Sequence, residues 1–311
     1  MSKINDKDDV MEEIKIGDII RQRREKLNLT QDELCEGLCD RRTISRIENN
    51  KSKPSVFIME NILQRLGIPI KDNYFLLIGS DVNILYLQQQ IVMYCSRWEI
   101  QKAKEFLKQL EEISDKNSSI QQQFILSKKA VTEDLTDEMR IQMLTEAIKY
   151  TIPKFDIDNL NFKVLTLEEC KIIVNIANIY DRIDENKAIK IYYDLLKITK
   201  ENYTNVTEYD LLNSMIACCL SQSLYYVGKY YEAILISDMG IENRIKNGRS
   251  QLMGELMSHK AYCLLKLGNR FEGEKLLREA VVFMRIMKSD NNLDITIKYA
   301  KKEFNIDLSK L

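Results

Sequence analysis

Three arginines stand close together at positions 41, 42 and 46 of this 311-residue chain, among Thr43, Ser45, Asn49 and Lys51. A guanidinium presents its donors as a planar fork, which matches two acceptors at once, such as guanine O6 and N7 or the oxygens of a phosphate. Short hydroxyls and a lysine nearby suit phosphate and base-methyl contacts. Upstream, Gln31 begins a stretch whose side chain and neighbouring backbone N–H groups can hold a phosphate or support a base contact. The chemistry available is therefore recognition of a polyanion with an ordered edge. Catalysis finds less to work with: His259 is the one histidine, no glycine-rich phosphate loop occurs, and no nucleophile has an evident base and orienting partner.

The elements that would position these residues follow from local signals. Thr30 with Glu33 three residues on reads as a capping box, opening a short helix that presents Leu34 and Leu38 to one side. Asp40 is a good N-cap for a second helix. That helix buries Ile44 and Ile47, and at 100° per residue its opposite face carries Arg42, Ser45, Arg46 and Asn49, with Arg41 on its first turn. Two short helices, the second cationic outside, make a helix-turn-helix. A preceding helix from about Lys15 to Leu27 offers Ile16, Ile19 and Ile20 as its inner stripe. A fourth is announced by Pro54-Ser55, carries Met59, Ile62, Leu63 and Leu66, and stops at Gly67 and Pro69.

The words Thr-Gln-x-x-Leu at 30–34 and Thr-Ile-Ser-Arg-Ile-Glu at 43–48 resemble the DNA-binding domain of the Xre/lambda-repressor-like regulators. The resemblance implies that Arg41, Arg42 and Arg46 occupy base-reading positions. Gln31, Thr43, Ser45, Asn49 and Lys51 then border them, and Arg24 pairs with Glu48 inside the domain. Leu38 runs directly into Cys39-Asp40-Arg41, a shortened turn similar to that of the PlcR/Rgg-like (RRNPP-type) peptide-sensing regulators.

The remainder repeats. Gly228-Lys229-Tyr230-Tyr231-Glu232-Ala233-Ile234 has the form of a tetratricopeptide-repeat turn and second-helix start, and Gly268-Asn269-Arg270-Phe271-Glu272-Gly273 follows forty residues later. A partial match joins Ala177-Asn178-Ile179-Tyr180 to Lys187-Ala188-Ile189, and fainter pairs fit near 84–113 and 119–151. The expected fold is all-α: a helix-turn-helix domain over 14–70, a linker helix over 71–87, and a tetratricopeptide-like right-handed superhelix over 82–311. That last part holds about five helix pairs and a terminal helix near 292–303.

Such a stack lines a concave groove suited to an extended peptide or partner segment. With the repeat phase set by Ala188, Gly228 and Gly268, the inward polar residues are Gln89, Gln122, Lys129, Gln222, Glu255 and His259, with Asn175 and Asn178 close by. At the registers where the PlcR-like sensors carry peptide-binding asparagines, this chain has Val174 and Cys219.

Composition bounds the rest. Ten Gly and three Pro fit a chain of helices with short connections. Eleven Lys/Arg against eight Asp/Glu between Ile14 and Pro69 give that part +3, leaving −4 elsewhere in a chain of net charge −1. This is the sign expected if the first domain alone meets phosphate. Seven cysteines without a Cys-x-x-Cys pair argue against a metal site or disulfide framework, so no metal and no cofactor is expected. No apolar run is long enough to span a bilayer and the start is polar and acidic, which predicts a cytoplasmic protein. The resulting expectation is a non-enzymatic transcription regulator, homodimeric on a double-stranded DNA operator and controlled by a short signalling peptide. A ligand-independent dimeric regulator and a protein-interaction module are the alternatives.

Overall fold

A computed structural model describes residues 16–52, 54–68, 79–202 and 207–309, and every element of regular structure in them is a helix. Helices α1 (Ile16–Lys26), α2 (Gln31–Cys35), α3 (Arg41–Glu48) and α4 (Val56–Arg65) form the amino-terminal domain. The caps read from sequence are in place. Thr30 Oγ1 accepts from the Glu33 N–H at 3.1 Å while the Glu33 carboxylate accepts from the Thr30 N–H at 2.7 Å. Asp40 Oδ1 accepts from the Thr43 N–H at 2.7 Å, and Ser55 caps α4. Ile20, Leu34, Ile44, Ile47, Ile62 and Leu66 are fully buried together.

Two details of this domain differ from the sequence expectation. Ile16 and Ile19 are 44% and 37% exposed, so they are not an inner stripe. The buried line of α1 is Gly17 and Ile20, because a Cβ at Gly17 would lie 2.2 Å from the Ile47 carbonyl oxygen. Helix α2 stops at Cys35, and Leu38 reaches the core from the turn instead of from the helix. Gly37 shapes that turn: its φ is +70° and a Cβ there would meet the Thr151 backbone at 1.9 Å.

The rest consists of five successive antiparallel pairs and a last helix. The pairs are α5 (Gly79–Ser96) with α6 (Ile100–Ile113), α7 (Ser119–Thr132) with α8 (Asp137–Lys149), α9 (Leu167–Ile183) with α10 (Glu185–Asn202), α11 (Thr207–Tyr226) with α12 (Tyr230–Lys246), and α13 (Met253–Lys266) with α14 (Arg270–Ile286). Helix α15 (Asp290–Phe304) closes the series. Each pair packs on the next, and α9, α11, α13 and α15 also touch in sequence along one side, the arrangement of a tetratricopeptide-like stack. Of the expected linker helix, 71–78 lies outside the described residues, and 79–87 is the first half of α5.

The two parts share a junction. The core of the first domain continues through Ile84, Leu87 and Ile91 of α5 into Leu107, Leu110 and Phe124. A second core runs from Ala130 to Leu308. Arg65, at the end of α4, is the polar centre of the contact. It donates to the carbonyls of Leu34 at 3.0 Å and Glu36 at 2.6 Å, and to Glu169 Oε1 of α9 at 3.0 Å. The two side chains of that pair are 4% and 0% exposed. Gln64 Oε1 accepts from the Leu167 N–H at 3.0 Å, and Lys163 donates to Glu33 Oε1 at 2.7 Å.

Candidate nucleic-acid interface and ligand groove

The exposed face of α3 rests on a buried polar network. Glu48 is 1% exposed, and Arg24 reaches it with two donors, Nε to Oε1 at 2.5 Å and Nη2 to Oε2 at 3.0 Å. Burial works against the Glu48 charge. The hydrogen bonds from Arg24 and from Gln31, whose Nε2 lies 2.9 Å from Oε2, outweigh it and hold the carboxyl below its ordinary range. Arg21 adds donors to the Glu48 carbonyl at 2.9 Å and to Asn49 Oδ1 at 2.8 Å. Together with the buried Ile44 and Ile47, this network fixes α3 against α1 and α2.

The eight residues expected at this interface divide by what they touch. Arg42 and Arg46 are exposed and their side chains make no hydrogen bond or ion pair among the described residues, so both forks are free. Arg41 is exposed and sits 3.7 Å from Asp32, an ion pair too solvated to hold it. Ser45 is half-buried beside them and Lys51 is exposed at the end of the helix. Thr43 spends its hydroxyl on Asp40 Oδ1 at 3.2 Å. Asn49 Nδ2 donates to the Ser45 carbonyl at 2.7 Å, while its oxygen takes the Arg21 donor. Gln31 is committed to Glu48. The face can thus present two unencumbered guanidinium forks, a third loosely tethered one, a hydroxyl and an ammonium.

The polar residues expected in the groove, Gln89, Gln122, Lys129, Asn178, Gln222, Glu255 and His259, do not form one surface. Gln222, Glu255 and His259 come together with Cys218, Tyr225, Tyr226, Tyr262, Asn292, Thr296 and Tyr299 around a cavity of about 350 Å³ between α11, α13 and α15. Gln89 lines a different cavity of about 430 Å³, between α4, α5, α7 and α9, with Asn61, Gln123 and Lys171. Gln122 donates to the Asp115 carbonyl at 3.2 Å, and Lys129 pairs with Glu111 of α6. Asn178 Oδ1 accepts the Tyr192 hydroxyl proton at 2.5 Å, within its own helix pair. His259 Nδ1 lies 3.0 Å from Ser221 Oγ, and burial pushes its pKa down to about 4, so the ring is neutral near pH 7. Val174 is buried at 2% exposure, and Cys219 is half-buried.

The tetratricopeptide consensus does not pick out the tyrosines of the first cavity, although the sequence carries a signal for them. Tyr225, Tyr262 and Tyr299 recur every 37 residues, as do Gln222, His259 and Thr296, and Cys218, Glu255 and Asn292. These rows are one helix face seen three times, at i, i+4 and i+7 of α11, α13 and α15.

Comparison with known proteins agrees with this fold. Residues 20–73 match the helix-turn-helix family. No curated protein matches the chain significantly. Among solved structures, PlcR from Bacillus thuringiensis in complex with the peptide PapR7 and DNA is 23% identical with a TM-score of 0.60, over 91% of this chain and 99% of that one. The apo form of PlcR is 20% identical with a TM-score of 0.59, over 90% and 98%. ComR from S. thermophilus, in complex with DNA and its signalling peptide ComS, is 16% identical with a TM-score of 0.53, over 94% and 100%. The chain therefore has a helix-turn-helix domain at residues 20–73 and, along nearly its whole length, the PlcR fold of that domain joined to tetratricopeptide-like repeats.

Proposed function

We propose that this protein is a DNA-binding transcription regulator, acting as a homodimer in the cytoplasm without enzymatic activity, whose repeats take a short signalling peptide and thereby alter operator binding. The observation that carries the DNA reading is the pair of free guanidinium forks, Arg42 and Arg46, on a helix locked in place by buried Glu48. Arg41, Ser45 and Lys51 extend that face, with Thr43 and Asn49 holding its ends. One such domain reads a half-site, and two-fold pairing supplies the second. The peptide reading is supported by the shared fold with PlcR and ComR, both solved with a peptide and DNA. A peptide controls the protein only if it binds one arrangement of the domains better than another.

The test is the double variant Arg42→Ala/Arg46→Ala. A good bidentate base contact is worth about 1–3 kcal/mol, so losing two lowers operator affinity by about 30-fold or more. Circular dichroism melting and the sedimentation-derived mass should be unchanged. Operator affinity retained in the double variant would remove α3 as the reading helix. The burial of Val174 favours a second reading, a ligand-independent dimeric regulator, since that register offers no polar contact to a peptide.

A further inference from the structure

The cavity between α11, α13 and α15 has an unusual lining. Four tyrosines, 225, 226, 262 and 299, surround it, and Glu255 is the one charged side chain among its lining residues at neutral pH, because His259 is uncharged there. The rings are held in a fixed cluster: Tyr262 and Tyr299 have centroids 4.9 Å apart, Tyr225 and Tyr226 5.6 Å, and the Tyr299 hydroxyl lies 3.0 Å from that of Tyr225. Tyr226 is 56% exposed, so the cluster opens to solvent. One oxygen of Glu255 accepts from the Asn292 amide, which orients the carboxylate and leaves its other oxygen without a hydrogen bond among the described residues.

Aromatic rings attract cations through their negative faces, and do so more strongly where water is excluded. A carboxylate at the same cavity adds a charge-assisted acceptor. We infer that this cavity binds a protonated amine, and that the ligand of the repeats presents one there as its amino terminus or a basic side chain. The inference rests on the reading that the repeats take a peptide, and it specifies which chemistry the carboxy-terminal end of the groove selects. An anionic or purely apolar group would leave the Glu255 carboxylate desolvated without a partner, so the cavity discriminates against both.

The experiment uses the full-length protein and calorimetric titration with three probes of one shape: phenethylammonium, 2-phenylethanol and 3-phenylpropanoate. The cation is expected to bind at least about tenfold more tightly than the other two, the ratio corresponding to one hydrogen bond to a charged group. Glu255→Gln keeps the oxygen that accepts from Asn292 and should abolish the preference, and Tyr226→Leu should weaken it, both with unchanged melting temperatures. Equal binding of the three probes, no binding of the cation, or a preference that survives Glu255→Gln would overturn the inference. A parallel capture from a randomised octapeptide pool separates it from the reading beneath it. Retained peptides that show no enrichment in basic residues and are retained equally when the pool is amino-terminally acetylated would overturn the amine site and leave peptide binding standing. Selective amine binding with no peptide retained would uphold the amine site and remove the peptide.

Discussion

The ion pair between Arg65 and Glu169 makes a quantitative test of how the amino-terminal domain is attached to the repeats. Its side chains are 4% and 0% exposed, and the same guanidinium serves the carbonyls of Leu34 and Glu36. Arg65→Met fills most of the volume but leaves the Glu169 carboxylate charged and buried, which costs about 3–5 kcal/mol. Glu169→Gln retains an oxygen for the Thr166 N–H, 2.6 Å away in the wild type, yet turns amide hydrogens towards Arg65. It should cost about 2–3 kcal/mol, the range for a lost hydrogen bond to a charged group. The double variant strands neither charge, so the two costs should fall short of additive by about 2 kcal/mol. Urea unfolding followed by far-ultraviolet circular dichroism reads all four proteins. With a slope of about 1–3 kcal/mol per molar, Arg65→Met lowers the midpoint by about 1 M or more. A cost below about 1 kcal/mol for Arg65→Met, or an additive cycle, would refute the claim that this pair is a buried connection between the domains.

Two further expectations concern titrating groups. His259, with a pKa of about 4 against 6.5 in the unfolded chain, is neutral when folded, so the unfolded state takes up its proton first. Stability should fall by up to about 3 kcal/mol as pH drops from 6.5 to 4, and His259→Gln should flatten that window in pH-dependent unfolding. Glu33 is held at about 2 by the Lys163 ammonium and, to a lesser degree, by the Thr30 N–H. Carbon-detected NMR titration should return its carboxyl towards the ordinary range in Lys163→Ala, and an unmoved Glu33 would mean that the contact between α2 and the repeats does not form.

Much of the first domain is written locally. Thr30 with Glu33, Asp40 and Ser55 mark helix starts through bonds spanning three residues, and the Ile44/Ile47 spacing sets which way the arginines of α3 face. What failed there depended on neighbours. Ile16 and Ile19 are as apolar as Ile20, but only a residue without a side chain fits at position 17, and that rotates α1. The repeats show the same division. Gly228 and Gly268 take φ of +80° and +83° between the helices of a pair, while Trp98 adopts +60° at the same place between α5 and α6. Without its glycine, that first pair carries only a faint consensus. Groove membership was the least legible because it depends on which helix answers a polar side chain. Asn178 is taken up by Tyr192 and Lys129 by Glu111, and the Arg65–Glu169 pair spans 104 residues with no local trace.

The proposed function turns on a peptide in the repeats controlling the hold of the first domain on DNA. It is tested most directly by measuring the affinity of the full-length protein for the DNA upstream of its own coding sequence, with and without a small-molecule extract from dense cultures of its host. The expected result is an affinity that changes with a heat-stable component and reverts when that extract is treated with protease. An affinity indifferent to the extract would contradict it and leave a ligand-independent regulator.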